Sequence, residues 1–467
     1  MEGSHELFLK ACDSGSEYDI AQICLNISEN CYVNICEKLP SFYVFKNHKW
    51  KQEGALQSLY KFLNEDVSNM FLELNMNDAK KIAYKLKGSF KHKVIDEFAK
   101  LVYNCNFYSK LDAKKHLIGF ENGVYDLILN EFREGIPEDF ISKSVRYDYQ
   151  PIMKEDEIIV LQEFYSQIYP YADLKIYMMQ QYAQMLYGGI QNSIVHFHSG
   201  SGGNGKSLIA LLMQETFGEY ALKLESTTLC NSKFIDPNSP DPQKLALKGV
   251  RFCYISEPPS GSVLNSSVLK DLSGGEYVTA RALYSNNRVT FEPQFKINIF
   301  VNDGQGFTFD GADGGLERRL KMIQYVSKFV NETPDFENFK FLKDEFLLQK
   351  LRQMKQTHMN LLLKMYKHGM IYTCPTRITK WTQNELYKNN DIKKFIDDNF
   401  NFTNEENDYI KLKDIKQLYQ LQSKEFNIKK IKQLKENLIE ILGPCLNQKW
   451  INGEKVNSVF VKWQFKC

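Results

Sequence analysis

The run HFHSGSGGNGKSL, residues 196 to 208, has the clearest chemistry in the chain. Gly200 is followed, after four residues, by Gly205, Lys206 and Ser207, which is the spacing of a phosphate-binding loop. Glycines let backbone N–H groups turn inward around phosphates, and the helix predicted to follow adds its positive N-terminal end. Lys206 can reach the β- and γ-phosphates, and Ser207 can bind Mg²⁺. We therefore predict a nucleoside triphosphate site formed by Gly200, Ser201, Gly202, Gly203, Asn204, Gly205, Lys206 and Ser207.

Hydrolysis of a triphosphate also requires an acidic group at the end of a neighbouring strand. In RFCYISEPP, residues 251 to 259, Glu257 follows a β-prone run that two prolines bring to an end. An aspartate often precedes such a glutamate, but here the position is Ser256. Glu257 is therefore predicted either to bind Mg²⁺ or to polarise the attacking water, and the sequence leaves both roles open.

Two further motifs could complete a hydrolytic site. The run FKINIFVND places Asn302 at the end of a predicted strand, where its amide could contact the γ-phosphate or the attacking water. The run DGGLERRLKMIQY presents Arg318 and Arg319 after a glycine-rich stretch. One of the two could be an arginine finger that reaches the γ-phosphate of a neighbouring subunit. The alternative for this pair is a solvated basic surface.

The elements that would position these residues alternate from Ser193 onward. The runs SIVHFH, YALKLES, VRFCYISE and KINIFVN predict strands, and KSLIALLMQETFG and DPQKLALKG predict helices between them. This order predicts an α/β fold with a largely parallel sheet. Residues up to about 110 and from 336 to 380 have helical patterns, and Asn122-Gly123 predicts a hairpin turn. Three predicted helices and a hairpin turning at Asn452-Gly453 have the element order of a winged helix. The predicted units are 1–150, 151–335, 336–380 and 381–467.

Composition sets outer limits on function. The 467 residues are 43% apolar and carry a net charge of +2, so any DNA-binding surface must be a local patch. Ten cysteines without a C-x-x-C pair predict reduced thiols in an intracellular protein. No apolar run approaches the roughly 18 to 20 residues that span a bilayer, so no membrane partner is expected.

The motifs GSGGNGKS, YISEPP, LKDLSGGEYVTARALY, FEPQFKINIFVND and LERRLKMI occur in this order. Together they resemble the superfamily 3 helicases, and more narrowly the primase–helicase branch of poxviruses, other large cytoplasmic DNA viruses and some phages and plasmids. The run FENGVYDLILNEFREGIPEDFISKSVRYDYQP resembles the accessory domain that precedes the motor in that branch. The resemblance implies an AAA+-like P-loop ATPase core behind a mainly helical collar domain, with a winged-helix-like unit after it.

The resemblance also implies partners and residue roles. ATP and Mg²⁺ would be the cofactors, Glu257 the acid and Asn302 the sensor, while Arg319 is slightly favoured over Arg318 as the finger in a homo-hexamer. The hairpin in YVTARALYSNNRVTF would project into the ring channel and grip single-stranded or forked DNA. A primase domain or other replication proteins would be partners, and the host cytoplasm the place of action. The candidate DNA-binding residues are Lys270, Arg281, Asn286, Asn287 and Arg288.

The favoured function is an ATP-dependent replicative helicase of a DNA virus, a ring that translocates on single-stranded DNA. One alternative is an ATPase that packages DNA or remodels proteins without unwinding. Another is a nucleotide-gated DNA-binding or initiator module, and Ser256 keeps this alternative open because it removes one expected carboxylate.

Overall fold

A computed structural model gives the positions of most of the chain. It describes residues 2–54, 56–190, 192–230, 241–259, 261–281, 288–303, 308–309, 314–388, 391–422, 434–435, 438–439, 441–451 and 454–466. Within these residues, no helix combines the length and the apolar character that crossing a membrane requires.

The first part of the chain is helical around one small antiparallel sheet. Helices α1 to α7 span Glu2–Ser14, Glu17–Ile27, Gln57–Lys61, Ser68–Glu73, Asn77–Leu86, Phe90–Leu101 and Phe107–Lys110, and a π-helical turn covers Phe62–Val67. The prediction of helix throughout this part is wrong at strands β1 (Tyr32–Asn34), β2 (Phe42–Lys46) and β3 (Lys49–Glu53). Asn47 and His48 join β2 to β3 with φ of 51° and 62°. Positive φ at both central residues is the geometry of a tight hairpin turn, here made without glycine.

A second three-stranded sheet contains the predicted hairpin. Its strands are β4 (Leu117–Phe120), β5 (Gly123–Asp126) and β6 (Glu131–Arg133), and a single 3₁₀ turn covers Pro137–Asp139. The hairpin is confirmed, but its turn lies one residue earlier than predicted, because Phe120 pairs with Gly123. The Asn122 side-chain amide donates to the Tyr149 carbonyl and accepts the Tyr149 N–H. A Cβ on Gly123 would lie 2.5 Å from the Arg133 carbonyl oxygen, so this strand position requires glycine.

The central sheet confirms the predicted parallel arrangement. Its five strands are β7 (Val195–Gly200), β8 (Ala221–Lys223), β9 (Phe252–Ser256), β13 (Lys296–Asn302) and β15 (Leu320–Gln324), all parallel, in the spatial order β15-β7-β13-β9-β8. Strand β15 was not predicted. Along β13, Phe300 faces one apolar core while Ile299 and Val301 face the other. Both faces of the sheet are therefore buried, as parallel sheets require.

Helices cover the two faces. They are α8 (Glu155–Ile168), α9 (Ala172–Gln184), α10 (Lys206–Phe217), α11 (Pro242–Ala246), α12 (Ser266–Ser273), α13 (Gly314–Glu317), α14 (Leu347–Gln353), α15 (Lys355–Met365) and α16 (Thr376–Lys388), with 3₁₀ turns at Gly218–Tyr220 and Ser226–Thr228. Helices α8, α9, α10 and α15 pack on one face, and α12 and α13 on the other. Helix α16 packs on the edge strand β15 and contributes side chains to both cores. The Asp241 carboxylate accepts the Lys244 N–H at 2.9 Å, which confirms the predicted cap of α11.

Six short strands form pairs beside the central sheet. They are β10 (Val263–Leu264) with β14 (Thr308–Phe309), β11 (Val278–Arg281) with β12 (Arg288–Phe291), and β16 (Lys328–Val330) with β17 (Lys340–Leu342). The β11–β12 pair is antiparallel and confirms the predicted hairpin up to residue 281 and from residue 288.

The C-terminal part is a small α+β unit. It contains α17 (Asp391–Asn399), β18 (Phe400–Phe402), β19 (Tyr409–Lys411), α18 (Leu412–Gln422), β20 (Leu446–Ile451), β21 (Glu454–Val461) and β22 (Trp463–Phe465). The β20–β21 hairpin is confirmed, but its predicted turn at Asn452-Gly453 and most of the third predicted helix lie outside the described residues. Strands β18 and β19, which pair with β22 and β21, were not predicted, and the last strand of the predicted hairpin is divided into β21 and β22. The winged-helix assignment and the domain boundaries stay predictions.

Candidate nucleotide-binding site

The predicted phosphate loop connects β7 to α10 at the carboxyl end of the central sheet. Helix α10 begins at Lys206, and Gly205 caps it with φ of 83°, a backbone conformation that favours glycine. Position 200 has no space for a side chain, because a Cβ on Gly200 would lie 2.9 Å from the Tyr325 carbonyl oxygen. Glycines at these two positions therefore allow the backbone of the loop to turn tightly into α10 and to approach Tyr325 closely.

Lys206 is held by the loop itself. Its Nζ donates to the Gly200 carbonyl at 2.5 Å, to Asn204 Oδ1 at 3.1 Å and to the Ser201 carbonyl at 3.3 Å. Burial lowers the pKa of the ammonium, while the nearby carboxylates of Asp303 and Glu257 act in the opposite direction. The cation therefore lies within the loop, in reach of any phosphate that enters.

Glu257 and Asn302 come together at the same edge of the sheet. The side-chain amide of Asn302, the last residue of β13, donates to Glu257 Oε1 at 3.5 Å. Glu257 follows β9 directly, with φ of 53°, and its N–H donates to the Phe300 carbonyl at 2.9 Å. The expectation that Glu257 follows the strand beside β7 is wrong, because β13 lies between β7 and β9. Asn302 therefore lies on the strand between the loop and the acid.

One cavity of about 700 Å³ joins these groups. Residues 202–208 of the loop and its helix, Glu257 and Asn302 line one part of it. The sequence analysis did not predict the remaining lining residues, which are Phe329, Asn331, Lys343, Asp344, Glu345, Leu347 and Leu348. Phe329 is brought there by its N–H, which donates to the Gly203 carbonyl at 2.8 Å.

Asp303 is a further residue that the sequence interpretation missed. Its Oδ1 accepts the Ser199 hydroxyl at 2.6 Å, and its N–H donates to the Gly200 carbonyl at 3.2 Å. Its position directly after Asn302 was the available signal. The base of the phosphate loop is therefore tied to the end of β13 through a carboxylate.

The two arginines lie away from this cavity. Arg319 donates from Nη1 to the Gly315 carbonyl at 2.7 Å, and its own carbonyl accepts the Val195 N–H at 2.9 Å. Val195 is the first residue of β7, whereas the phosphate loop starts at the last residue of that strand. At about 3.3 Å per residue, the arginine backbone is roughly 17 Å from the loop. The structure therefore places Arg318 and Arg319 at the amino-terminal end of β7, opposite the end that carries the phosphate loop.

The candidate DNA-binding residues are partly described. Lys270 lies on α12, and Arg281 and Arg288 face each other across the β11–β12 pair. They share the face of the hairpin on which Thr279 and Thr290 hydroxyls meet at 2.9 Å. Asn286 and Asn287 lie outside the described residues. The described part of the hairpin thus offers two guanidinium groups that could contact successive phosphates.

The two predicted magnesium ligands lie close together. Ser207 and Glu257 line the same cavity, which fits a cation held between a hydroxyl and a carboxylate. Among the described residues, no group of three or more His, Cys, Asp or Glu side chains is arranged to hold a metal by itself.

Comparison with known proteins adds relatives from large DNA viruses. Residues 23–170 match the family described as D5 N terminal like. A protein of Acanthamoeba polyphaga mimivirus, named as a candidate helicase, is 31% identical over 418 residues, which cover 82% of this chain and 43% of that protein. A protein of African swine fever virus, named as a candidate primase, is 28% identical over 260 residues, or 54% of this chain and 26% of that protein.

A solved structure gives a weaker match. The apo form of the NrS-1 C-terminal region aligns with 95% of this chain and 98% of its own, at 13% identity and a TM-score of 0.49. The chain spans less than half of the length of either viral relative.

Proposed function

We infer that this chain, which belongs to the primase–helicase family of large cytoplasmic DNA viruses, is the ATP-hydrolysing motor of a replicative DNA helicase. One observation carries this proposal: a single cavity gathers the Lys206 loop, Glu257 and Asn302. The parallel sheet with β13 between β7 and β9 supports an AAA+-like core. The host cytoplasm would be the place of action.

Each group in the cavity has a distinct role in the proposed reaction. The backbone N–H groups of residues 200–207 and the Lys206 ammonium would hold the phosphates of ATP. Ser207 and Glu257 would hold Mg²⁺, which neutralises developing charge on the phosphates when bound. The Asn302 amide, which already contacts Glu257, would orient the attacking water.

The proposed DNA contacts lie on the β11–β12 hairpin and on α12. Arg281, Arg288 and Lys270 would neutralise phosphates of a single strand, which gives salt-dependent binding without base preference. A ring of identical subunits, six by resemblance, would place such hairpins around one channel. A primase domain or other replication proteins would act with this ring on forked DNA.

ATP hydrolysis with and without single-stranded DNA tests the proposal. A motor should hydrolyse ATP faster when the strand is present, and should unwind a forked duplex. Glu257→Gln should lower the hydrolysis rate by about 100-fold or more, because the variant loses the carboxylate that acts on metal or water. Its affinity for ATP should remain, and Glu337→Gln, an exposed glutamate outside the cavity, is the matched control.

Two results would overturn parts of this proposal. Hydrolysis at the wild-type rate by Glu257→Gln would show that this carboxylate has no catalytic role. A wild-type protein that binds ATP and DNA, but neither unwinds a fork nor responds to single strands, would instead be a nucleotide-gated DNA-binding module. Ser256, which stands where a second carboxylate is often found, is the observation that favours this second candidate.

A further inference from the structure

We propose that Phe329, Leu347 and Leu348 form a nucleobase subsite, so that the cavity holds a nucleoside triphosphate by its base as well as by its phosphates. This inference rests on the proposed function, because it places the base beside the same phosphate loop. None of these three residues belongs to a motif of the phosphate site.

The cavity has two chemically different parts. Its loop side presents glycine backbone and the Lys206 ammonium, which suit phosphates. Its other side presents an aromatic ring and two leucine side chains, which suit the flat apolar faces of a base. Four polar or charged side chains line the same side: Asn331, Lys343, Asp344 and Glu345. Its volume of about 700 Å³ lies within the roughly 300 to 1,000 Å³ typical of small-molecule sites, so it has room for a nucleoside beyond the phosphates.

The ring of Phe329 is fixed close to the loop. The Phe329 N–H donates to the Gly203 carbonyl at 2.8 Å, and its ring centroid lies 6.0 Å from that of Phe341. A Cβ added to Gly205 would approach Phe329 Cε2 to 3.2 Å. The ring is therefore next to the phosphate loop and is held from two sides, as a stacking partner should be.

The leucines come from the start of α14. This helix packs on α10, the helix that begins with the phosphate loop. Leu347 and Leu348 line the cavity there, together with Leu208 on the first turn of α10. The Leu348 side chain is 40% exposed, and a bound base would cover part of this apolar surface. Two helices in contact thus place apolar groups where the nucleoside would leave the phosphates.

Binding of ATP and of inorganic tripolyphosphate, each with Mg²⁺, separates the base from the phosphates. Wild-type protein should bind ATP more tightly than tripolyphosphate by roughly 10- to 100-fold, the usual range for stacking one base on an aromatic group. Phe329→Ala should weaken ATP binding by a similar factor and leave tripolyphosphate binding unchanged. Leu348→Ala should have a smaller effect of the same kind. Leu342→Ala is the control, since Leu342 is 59% exposed and lies outside the cavity.

Every outcome of this experiment decides something. Equal wild-type affinity for ATP and tripolyphosphate would overturn the base subsite while leaving the phosphate site intact. Equal weakening of both ligands in Phe329→Ala would show that the ring supports the loop and does not contact a base. If Phe329→Ala fails to fold, Leu348→Ala is the test, because Leu348 is partly exposed. Unchanged ATP binding in that variant would then overturn the base subsite. Absence of binding to either ligand by the wild-type protein would instead defeat the proposed function itself.

Discussion

Asp303 gives the Lys206 ammonium a second neighbouring carboxylate. Burial lowers the pKa of Lys206, and the two groups that oppose this effect are Asp303 first and Glu257 second. Asp303 is also bound to the loop through the Ser199 hydroxyl at 2.6 Å. The strand before Glu257 supplies no second acid, because its last residue is Ser256. The charge balance around Lys206 therefore depends on the carboxylate that follows Asn302.

Asp303→Asn should make ATP binding more sensitive to alkaline pH. An asparagine oxygen can still accept the Ser199 hydroxyl, but the negative charge that favours protonated Lys206 is lost, so the pKa of Lys206 should fall further. Binding of ATP needs the charged ammonium and is lost as pH rises through that pKa. The ATP dissociation constant measured from pH 7 to pH 10 should therefore rise at lower pH in Asp303→Asn than in the wild type.

Asp156→Asn, which removes an exposed carboxylate on α8, should follow the wild-type curve. Identical curves for Asp303→Asn and the wild type would mean that Asp303 does not control the charge of Lys206.

His358 joins three helices around the core next to the phosphate loop. Thr216 on α10 donates its hydroxyl to the Leu212 carbonyl, so it accepts from His358 Nδ1 at 2.7 Å. The Tyr165 hydroxyl on α8 then donates to His358 Nε2 at 2.7 Å. This pattern requires a neutral imidazole, and burial lowers the pKa of His358 to about 3. Helix α10, whose first residue is Lys206, is thus anchored by a group that cannot easily accept a proton.

Acidification should therefore destabilise the fold through His358. The unfolded imidazole titrates near pH 6.5 and the folded one near 3, so the unfolded state binds the extra proton between these values. The contribution of His358 to the free energy of unfolding is fully present above pH 6.5 and is lost as pH falls. At pH 5 about 2 kcal/mol of it is lost. The free energy of unfolding, measured with urea, should differ between pH 7.5 and pH 5 in the wild type. This difference should be about 2 kcal/mol smaller in His358→Gln.

Two comparisons make this test specific. His368→Gln, which changes an exposed imidazole, should keep the wild-type difference between the two pH values. The buried His196 and His198, whose pKa values burial lowers to about 3 and about 4, should add to the acid sensitivity that remains in His358→Gln. An unchanged pH difference in His358→Gln would show that its imidazole accepts a proton in the folded protein.

The strands that carry the site were predictable, while several others were not. Strands β7, β9 and β13 are apolar runs that end at Gly200, Ser256 and Asn302, so both their type and their functional ends are visible locally. The β2–β3 hairpin turns through Asn47 and His48 without a glycine, so its usual signal is missing. Phe329 and Leu348 reach the cavity only because the Phe329 N–H donates to the loop carbonyl of Gly203 and α14 packs on α10. Such lining residues depend on tertiary packing, which no local pattern records.

At the scale of the whole molecule, the cavity and the two arginines lie at opposite ends of the parallel strands, and the proposed ring would bring them together between subunits. The cavity lies at the carboxyl end of the sheet, and Arg319 lies beside Val195 at the other end. An interface in which unlike surfaces of identical subunits meet generates a closed ring when the rotation closes. In such a ring, one subunit can bring its arginine edge to the cavity of the next. Arg318 and Arg319 are therefore expected to complete the site of a neighbour.

Mixing two inactive variants tests this sharing. Lys206→Ala and Arg319→Ala should each lack ATPase activity, since one cannot hold phosphate and the other cannot supply the finger. In mixed rings, an Arg319→Ala subunit with an intact cavity can sit beside a Lys206→Ala subunit with an intact arginine. Random mixing in equal amounts should restore about a quarter of the sites, so activity should reappear.

A second mixture provides the control for this result. Lys206→Ala and Glu257→Gln both damage the cavity of their own subunit, so no mixed arrangement yields a complete site and no activity should return. Repeating the first mixture with Arg318→Ala in place of Arg319→Ala identifies which arginine crosses the interface. Full activity in both single arginine variants, or no recovery in either arginine mixture, would show that the cavity does not depend on a neighbouring subunit's arginine.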